Sequence, residues 1–402
     1  MKIVLVNKFY YPRGGDCIHV IQLKKLLEKN GHQVYVFSMD YKQNIKLVED
    51  EYWPTFVDFS ANSFNSIVKK VIRPFGASEV IKKWKYFITH FKPDVVHLHN
   101  IHSQISPIVA KISIEKKIPV VWTLHDYKLI CPSYLMLRNN RPCDLCITNQ
   151  FSVVKNRCIK NNFAASLLGF FEIKKWNKRK LQDYTSTFIA PSVFLKNQMV
   201  KGGFRESSIM HLCNFYPEEK VIPFTKKKID DFILYVGRIS KEKGVELLLR
   251  AMQQFPDKKL KIIGDGPICS LLKDTYSDSR NVEFLGFQSW EIIQEQLSTA
   301  RFLVVPSEWY ENNPLSVIEA LVLGTPILGA KIGGIPELIS EGKNGFCFKP
   351  GNLEDLVSGI NKMFFSSFDR AKISFDAQEK FSSERYYEKI VQVYKQAINR
   401  VK

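Results

Sequence analysis

Hydrophobic positions in the first part of the chain come in short runs separated by amphipathic stretches. Lys2–Asn7 predicts a strand. Cys17–Lys29 sets Ile18, Ile21, Leu23, Leu26 and Leu27 at helical spacing, Gly31-His32 ends that helix, and Gln33–Ser38 predicts the next strand. Val95–Leu98, Val120–Thr123 and Thr187–Ala190 read as further short strands. Strand–helix–strand alternation with such short, wholly apolar strands predicts a parallel sheet covered on both faces. The pattern starts again at Asp231: a strand at Phe232–Val236, a helix over Gly244–Phe255, then strands at Leu260–Ile263, Val282–Leu285, Phe302–Val305 and Pro326–Gly329.

Two α/β series, each with its own first strand, predict two Rossmann-like domains facing across a cleft. The first covers residues 1–216, a basic polar linker 217–230, and the second domain 231–383; a last helix over 384–402 has no strand after it and is expected to cross back onto the first domain. A chain of 402 residues is long enough for two cores, and 45% hydrophobic with 24% charged residues is globular composition.

Charge adds an asymmetry. Residues 1–215 hold 32 Lys+Arg and 15 Asp+Glu, net +17, whereas residues 216–402 hold 26 and 25, net +1. A basic field confined to one domain suits an anionic partner such as a phospholipid surface or a pyrophosphate-linked acceptor. No recognised nucleic-acid module accompanies it, so nucleic acid is not an expected partner. The opening Met1–Val6 goes straight into a strand, without the long apolar core of a signal peptide, and no apolar run reaches spanning length. The expected location is the cytoplasm, peripheral on the inner face of the cell membrane, with the eight cysteines reduced.

Four loops carry the candidate chemistry, each following a predicted strand, where open α/β sheets bind ligands. Gly14-Gly15 precedes the first helix and allows close backbone approach of an anion to its N-terminus. Gly237-Arg238 and Lys243-Gly244 supply two cations suited to a departing diphosphate. Gly264-Asp265-Gly266-Pro267 makes a tight turn at the same sheet edge. The richest is Tyr310–Glu319: Glu311 precedes a helix, Pro314 fits its first turn, Glu319 lies inside it, and the N–H groups of Asn313, Leu315 and Ser316 stand at its mouth. Carboxylates accept hydrogen bonds from sugar hydroxyls.

These features, in this order, resemble glycosyltransferase family 4, a retaining family with the GT-B fold. Thr123-Leu124-His125-Asp126, Gly333-Gly334-Ile335-Pro336-Glu337 and Asn344-Gly345 match as well, and the resemblance covers nearly the whole chain. It implies that Glu319 holds the ribose hydroxyls of a nucleotide and Glu311 those of the donor sugar. It further implies that Arg238 and Lys243 bind the diphosphate, that Gly14 and Gly15 approach donor phosphate or acceptor, and that His125 contacts the sugar near the reacting carbon. The family pattern has Gly after the first Glu; here it is Asn312, which bears on sugar preference. The implied activity is metal-independent, retaining transfer from a nucleotide-diphosphate sugar to a glycan, lipid-linked, in capsule, O-antigen or exopolysaccharide synthesis, with no cofactor required for catalysis. A nucleotide-sugar epimerase on the same fold is the alternative enzyme, and a non-enzymatic protein that binds anionic ligands is a further one.

Two features stand outside those motifs. Cys131, Cys143, Cys146 and Cys158 have spacing x11, x2, x11, and their central Cys-x-x-Cys suits a structural zinc; four unrelated loop cysteines is the plainer reading. Phe163–Leu181, an apolar aromatic half followed by a basic half, and Trp84 among Lys82, Lys83 and Lys85 read as membrane-interface mixtures or as ordinary packing helices.

Overall fold

Residues 1–60, 64–220 and 229–401 are described by the computed structural model; most of the expected linker, 221–228, lies outside them. The chain divides into two units, one of Met1–Met136, Asp144–Cys213 and Glu384–Lys402, the other of Leu137–Cys143 and Asn214–Ser383. The division therefore falls at Cys213/Asn214, three residues before the position read from the sequence, and the last helix is grouped with the first unit.

The first unit is built on strands β1 (Lys2–Val6), β2 (Gln33–Phe37), β3 (Val95–Leu98) and β4 (Val120–Thr123). After β4 a two-residue antiparallel pair, β5 (Leu137–Arg138) and β6 (Arg141–Pro142), belongs to the second unit. Strands β7 (Thr187–Ala190) and β8 (Ile209–His211) complete the first sheet, whose order is β2-β1-β3-β4-β7-β8 with every pair parallel. Every residue of β3 and β4 is buried, which is why these strands read as continuous apolar runs rather than alternating ones. The helix Gly15–Lys29 buries Cys17, His19, Val20, Leu23, Leu26 and Leu27; Ile18 and Ile21 lie at the edge of that face.

Of the two readings of Trp84, membrane interface or packing helix, the second holds: it is a core residue. It is fully buried on the helix Ser78–Phe91, with ring centroids 4.8 Å from Phe37 and 5.8 Å from Phe87. The neighbouring lysines lie on the other face of that helix, a periodicity that a local count of aromatic and basic residues conceals.

The second unit holds β9 (Phe232–Val236), β10 (Lys259–Ile263), β11 (Val282–Gly286), β12 (Phe302–Val305), β13 (Ile327–Ala330) and β14 (Gly345–Phe348), ordered β11-β10-β9-β12-β13-β14 and all parallel. Strand order runs one way from β9 to β11 and the other way from β9 through β12. The loops leaving β9 and β12 therefore part at a topological switch point, and a crevice opens at the carboxyl ends of the strands. In the first unit the reversal lies between β1 and β3. Both units are thus α/β with a parallel sheet, as the alternation of strands and helices predicts.

Candidate active site

In the second unit the switch point brings the loop after β9 against the loop after β12. Lys243 ends the first loop; its Nζ donates to Glu311 Oε1 at 2.6 Å, and Ser307 Oγ donates to the same oxygen at 2.7 Å. Glu311 is buried, which by itself would raise its carboxyl pKa, yet Lys243 and the hydrogen bond from Ser307 hold it below the usual range. It is a carboxylate in a near-dry setting with one cation beside it. Arg238 is exposed and has no side-chain partner among the described residues.

Two glycines make this arrangement possible. Gly244 has φ +68°, and a Cβ there would lie 1.9 Å from Pro306 O. Gly333, in the turn after β13, has φ +60°, and a Cβ would meet Glu311 O at 2.2 Å; the next residue, Gly334, donates its N–H to Glu311 O at 2.7 Å. Backbone thus packs on backbone around Glu311, and no larger residue fits. Gly264 also serves packing, with a Cβ position 1.9 Å from Gly237 O, so these two donor-loop glycines lock the loops after β9 and β10 together.

Pro314 is the N-cap of the helix Leu315–Val322, one position before the first-turn place expected, because its ψ of 121° is extended rather than helical. Leu315 and Ser316 then open the helix, and their N–H groups belong to its unpaired first turn. Asn313 is buried just before it; its Oδ1 accepts from Asn214 N and its carbonyl from Asn214 Nδ2, both at 3.0 Å. Glu319 lies in the second turn of that helix. Burial raises its pKa to about 7, with Lys220 Nζ at 3.8 Å opposing. The two glutamates differ in protonation because one has a contacting ammonium and the other a distant one.

In the first unit the switch point gathers a different set. Gly14 caps the helix Gly15–Lys29 with extended backbone, and a Cβ there would meet only Asp16 Oδ1 at 3.6 Å. Asn100, just past β3, donates to Asp16 Oδ2 at 2.8 Å. His125, just past β4, has Nε2 3.0 Å from His99 Nδ1. Burial lowers the His125 pKa to about 4, Asp16 raising it and Lys8 lowering it, so the ring is neutral at pH 7. His19, His99 and His125 bring ligand atoms within 4.8 Å of one another, a geometry that suits a metal as well as a hydrogen-bonded network. The C-terminal helix Ser383–Val401 supports the array: Tyr394 OH lies 2.7 Å from His97 Nδ1, and Tyr386 OH lies 3.3 Å from His19 Nε2.

The sequence reading did not single out Ser307, Asn214, Asp16, Asn100, His19 or His99. Only His99 had a readable signal: His97 lies in the otherwise apolar β3 and His99 one residue past its end, a spacing of two that keeps both rings on one side. Of the cysteine set, the Cys131 thiol hydrogen-bonds with Cys146, and Cys158 packs on the small core around Cys146.

Comparison with known proteins gives two family matches along the chain. The description "Glycosyltransferase Family 4" matches residues 13–220, over half of the chain, and "Glycosyl transferases group 1" matches residues 218–380. The chain belongs to glycosyltransferase family 4, and it is a glycosyltransferase. Among relatives, an uncharacterized 42.6 kDa protein in the cps region of Klebsiella pneumoniae is 27% identical, covering 84% of this chain and 87% of that one. Alpha-monoglucosyldiacylglycerol synthase of Acholeplasma laidlawii is 26% identical over 90% and 87%. Among solved structures, Anabaena HepE in complex with UDP-glucose is 19% identical with a TM-score of 0.69, covering 98% and 99% of the two chains.

Proposed function

We propose that this glycosyltransferase moves a sugar from a nucleotide-diphosphate donor to a lipid-linked glycan, with retention at the anomeric carbon and without a catalytic metal, in surface polysaccharide synthesis. The observation that carries the reading is the second unit's switch point, where Lys243 contacts Glu311 ahead of the helix that contains Glu319, with Arg238 exposed on the same loop as Lys243. That set matches the parts of a nucleotide sugar: hydroxyl-binding carboxylates, cations for a diphosphate, and N–H groups for its oxygens.

The roles follow from the environments. Glu319 takes the ribose hydroxyls and Glu311 the sugar hydroxyls. Arg238, exposed and unengaged, and Lys243, shared with Glu311, stabilise the charge on the leaving diphosphate. Glu311 is already neutralised by Lys243, which makes it a poor nucleophile; the reading is therefore front-face displacement. The bond from the anomeric carbon to the phosphate oxygen breaks, the acceptor oxygen bonds on the same face, and its proton passes to the departing phosphate oxygen. A neutral His125 hydrogen-bonds the sugar without placing a positive charge beside a carbon that itself becomes positive. In the first unit, Gly14 and Gly15 leave backbone open to phosphate or acceptor.

Membrane contact is supported by the +17 of residues 1–215 and by the helix Phe64–Ile72, which exposes Ile67, Val68, Val71 and Ile72 beside Lys69 and Lys70. Phe163–Leu181 divides its roles between two helices: Ile173, Trp176 and Leu181 are buried, and Phe163 and Phe171 are exposed. Among the described residues no helix is long and apolar enough to cross a membrane. The donor part of the reading is supported by the UDP-glucose named with HepE, and the lipid part by the diacylglycerol named with the Acholeplasma synthase.

The test is a thermal-shift screen of nucleotide sugars, followed by product analysis with the donor that stabilises. A stabilising donor, loss of the shift in Glu319→Ala, and an axial-to-axial or equatorial-to-equatorial product by NMR are expected. No response to any nucleotide sugar, or inversion at the anomeric carbon, refutes it.

A further inference from the structure

Beyond Cys143 the chain re-enters the first unit at Asp144 and, before β7, forms the helices Leu145–Thr148, Ser152–Lys155, Phe163–Lys175 and Lys178–Asp183. A cavity of about 320 Å³ opens among them, lined on one part by Leu129 and Ile130 from the loop after β4. Phe151 and Phe170 also line it, edge to face with ring centroids 5.4 Å apart. So do Lys174 and Lys178, both exposed. Among the described residues neither ammonium has a carboxylate partner. Lys174 Nζ lies 5.4 Å from the Phe170 ring centre, and Lys178 Nζ donates to Gly202 O at 3.3 Å.

The charge around this cavity is unbalanced. Residues 174–180 hold Lys174, Lys175, Lys178, Arg179 and Lys180 and no acid. Glu172, the acid of the helix Phe163–Lys175, is buried and engaged by Lys128 at 2.8 Å, so it does not offset them. Burial first, then the neighbouring Lys111 and Lys180, hold Lys175 below the usual lysine range, which shows how closely the cations crowd. Such a group is relieved by an external anion. The apolar side chains beside it are exposed as well. Phe151, Phe170 and Phe171 follow ring to ring, at 5.4 and 5.7 Å, and Phe151, Phe171 and Leu145 stand about half in solvent. Exposed rings rimmed by lysines suit the boundary between lipid headgroups and acyl chains.

We propose that this cavity is a headgroup site for an anionic phospholipid, in which Lys174 and Lys178 take the phosphate while Phe151, Phe171 and Leu145 enter the acyl boundary beside it. The apolar groups decide against the carboxylate of an acidic glycan. Edge-to-face rings present no single flat platform to a sugar, and Leu145 has nothing to meet on one, whereas acyl chains follow a lipid phosphate and cover both. The inference rests on the membrane contact proposed above, and it adds a shaped site for one headgroup to the exposed apolar face of the helix Phe64–Ile72. Leu129 and Ile130 belong to the loop that carries His125, so a lipid held here sets the membrane against the same loop.

Flotation of the full chain with vesicles tests it, using phosphatidylcholine alone and an equal mixture of phosphatidylcholine and phosphatidylglycerol. The parent is expected to float with the mixture only. Lys174→Gln/Lys178→Gln should partition about 30-fold more weakly, roughly fivefold for each lysine at an anionic surface. Lys42→Gln/Lys116→Gln removes the same charge from exposed positions outside the cavity and should stay within about threefold of the parent. Phe151→Ala keeps every charge and should weaken partition about fivefold. A parent that ignores the anionic mixture overturns this site and the membrane contact together. Equal losses in the two lysine pairs, or none in Lys174→Gln/Lys178→Gln, overturn the site and leave the membrane contact standing. An acidic oligosaccharide that displaces the protein from vesicles at matched ionic strength would make the occupant a glycan and overturn the lipid assignment.

Discussion

Lys243 Nζ lies 2.6 Å from Glu311 Oε1, so the cation that follows β9 and the carboxylate that follows β12 meet over the switch point of the second sheet. The two residues, 68 positions apart in sequence, are one functional unit. Lys243→Ala leaves a buried carboxylate without its partner, and a loss of about 2–4 kcal/mol is expected. The double variant Lys243→Met/Glu311→Gln is expected to regain most of that stability while turnover stays at least ~100-fold down, because leaving-group stabilisation is gone. Urea denaturation with a turnover assay on all three proteins decides this; a double variant as active as the parent would refute the role.

Glu319 titrates near neutrality, raised to about 7 by burial. A ribose hydroxyl donates to the ionised form, so donor affinity is expected to climb about tenfold per pH unit below 7 and to level off above it. The stability sign is opposite: the protonated form is the one favoured by folding, so this group's contribution is full below about 4.5 and is lost as pH rises through about 7. Calorimetric titration of donor from pH 5.5 to 8.5 should show the affinity slope in the parent and a flat profile in Glu319→Gln.

Gly14 and Gly333 make a contrasting pair. At Gly14 the fold has room for a methyl group and the backbone is extended, so Gly14→Ala should melt within about 2 °C of the parent. If a phosphate or acceptor approaches there, kcat/KM falls. Gly333→Ala puts a Cβ against the Glu311 backbone at positive φ, and should cost several kcal/mol before any ligand is added. Equal melting temperatures for the two variants would contradict this division.

The buried histidines predict acid lability of the first unit. Burial lowers His97 to about 3 and His125 to about 4, whereas the unfolded chain protonates its histidines near 6.5. Their contribution is thus present above 6.5 and is lost as pH falls towards 4, a drop of several kcal/mol. Tyr394→Phe removes the hydroxyl beside His97 Nδ1 and should cost about 1–2 kcal/mol. Melting curves from pH 4.5 to 8 follow both effects; a flat profile below 6.5 would show that the rings are not held neutral.

The order of short apolar strands and amphipathic helices was enough to give two parallel-sheet domains, because buried parallel strands must be apolar throughout and carry their signature locally. The same holds for the ordered loop motifs from Gly14-Gly15 to Glu319, since each is a contiguous stretch that follows a strand. Less local features were not legible. Sequence spacing marked Glu311 and Lys243 as binding residues, but only the strand order β11-β10-β9-β12-β13-β14 sets their loops together and makes them an ion pair. Gly333 appeared only as a family motif; its cause is a backbone contact with Glu311. Trp84 among its lysines fitted an interface or a packing helix equally from local composition and is core, because helix periodicity separates neighbours in sequence onto opposite faces. The histidine array behind His125 draws on β3, on the first helix and on tyrosines 297 and 367 residues from the histidines they meet, and no local pattern encodes such a meeting. What the chain dictates by itself is the repeating unit and the loops that carry chemistry. Which of those side chains touch, and therefore which are charged, is decided by long-range packing, since burial and a neighbour's distance set protonation and no stretch of sequence contains either.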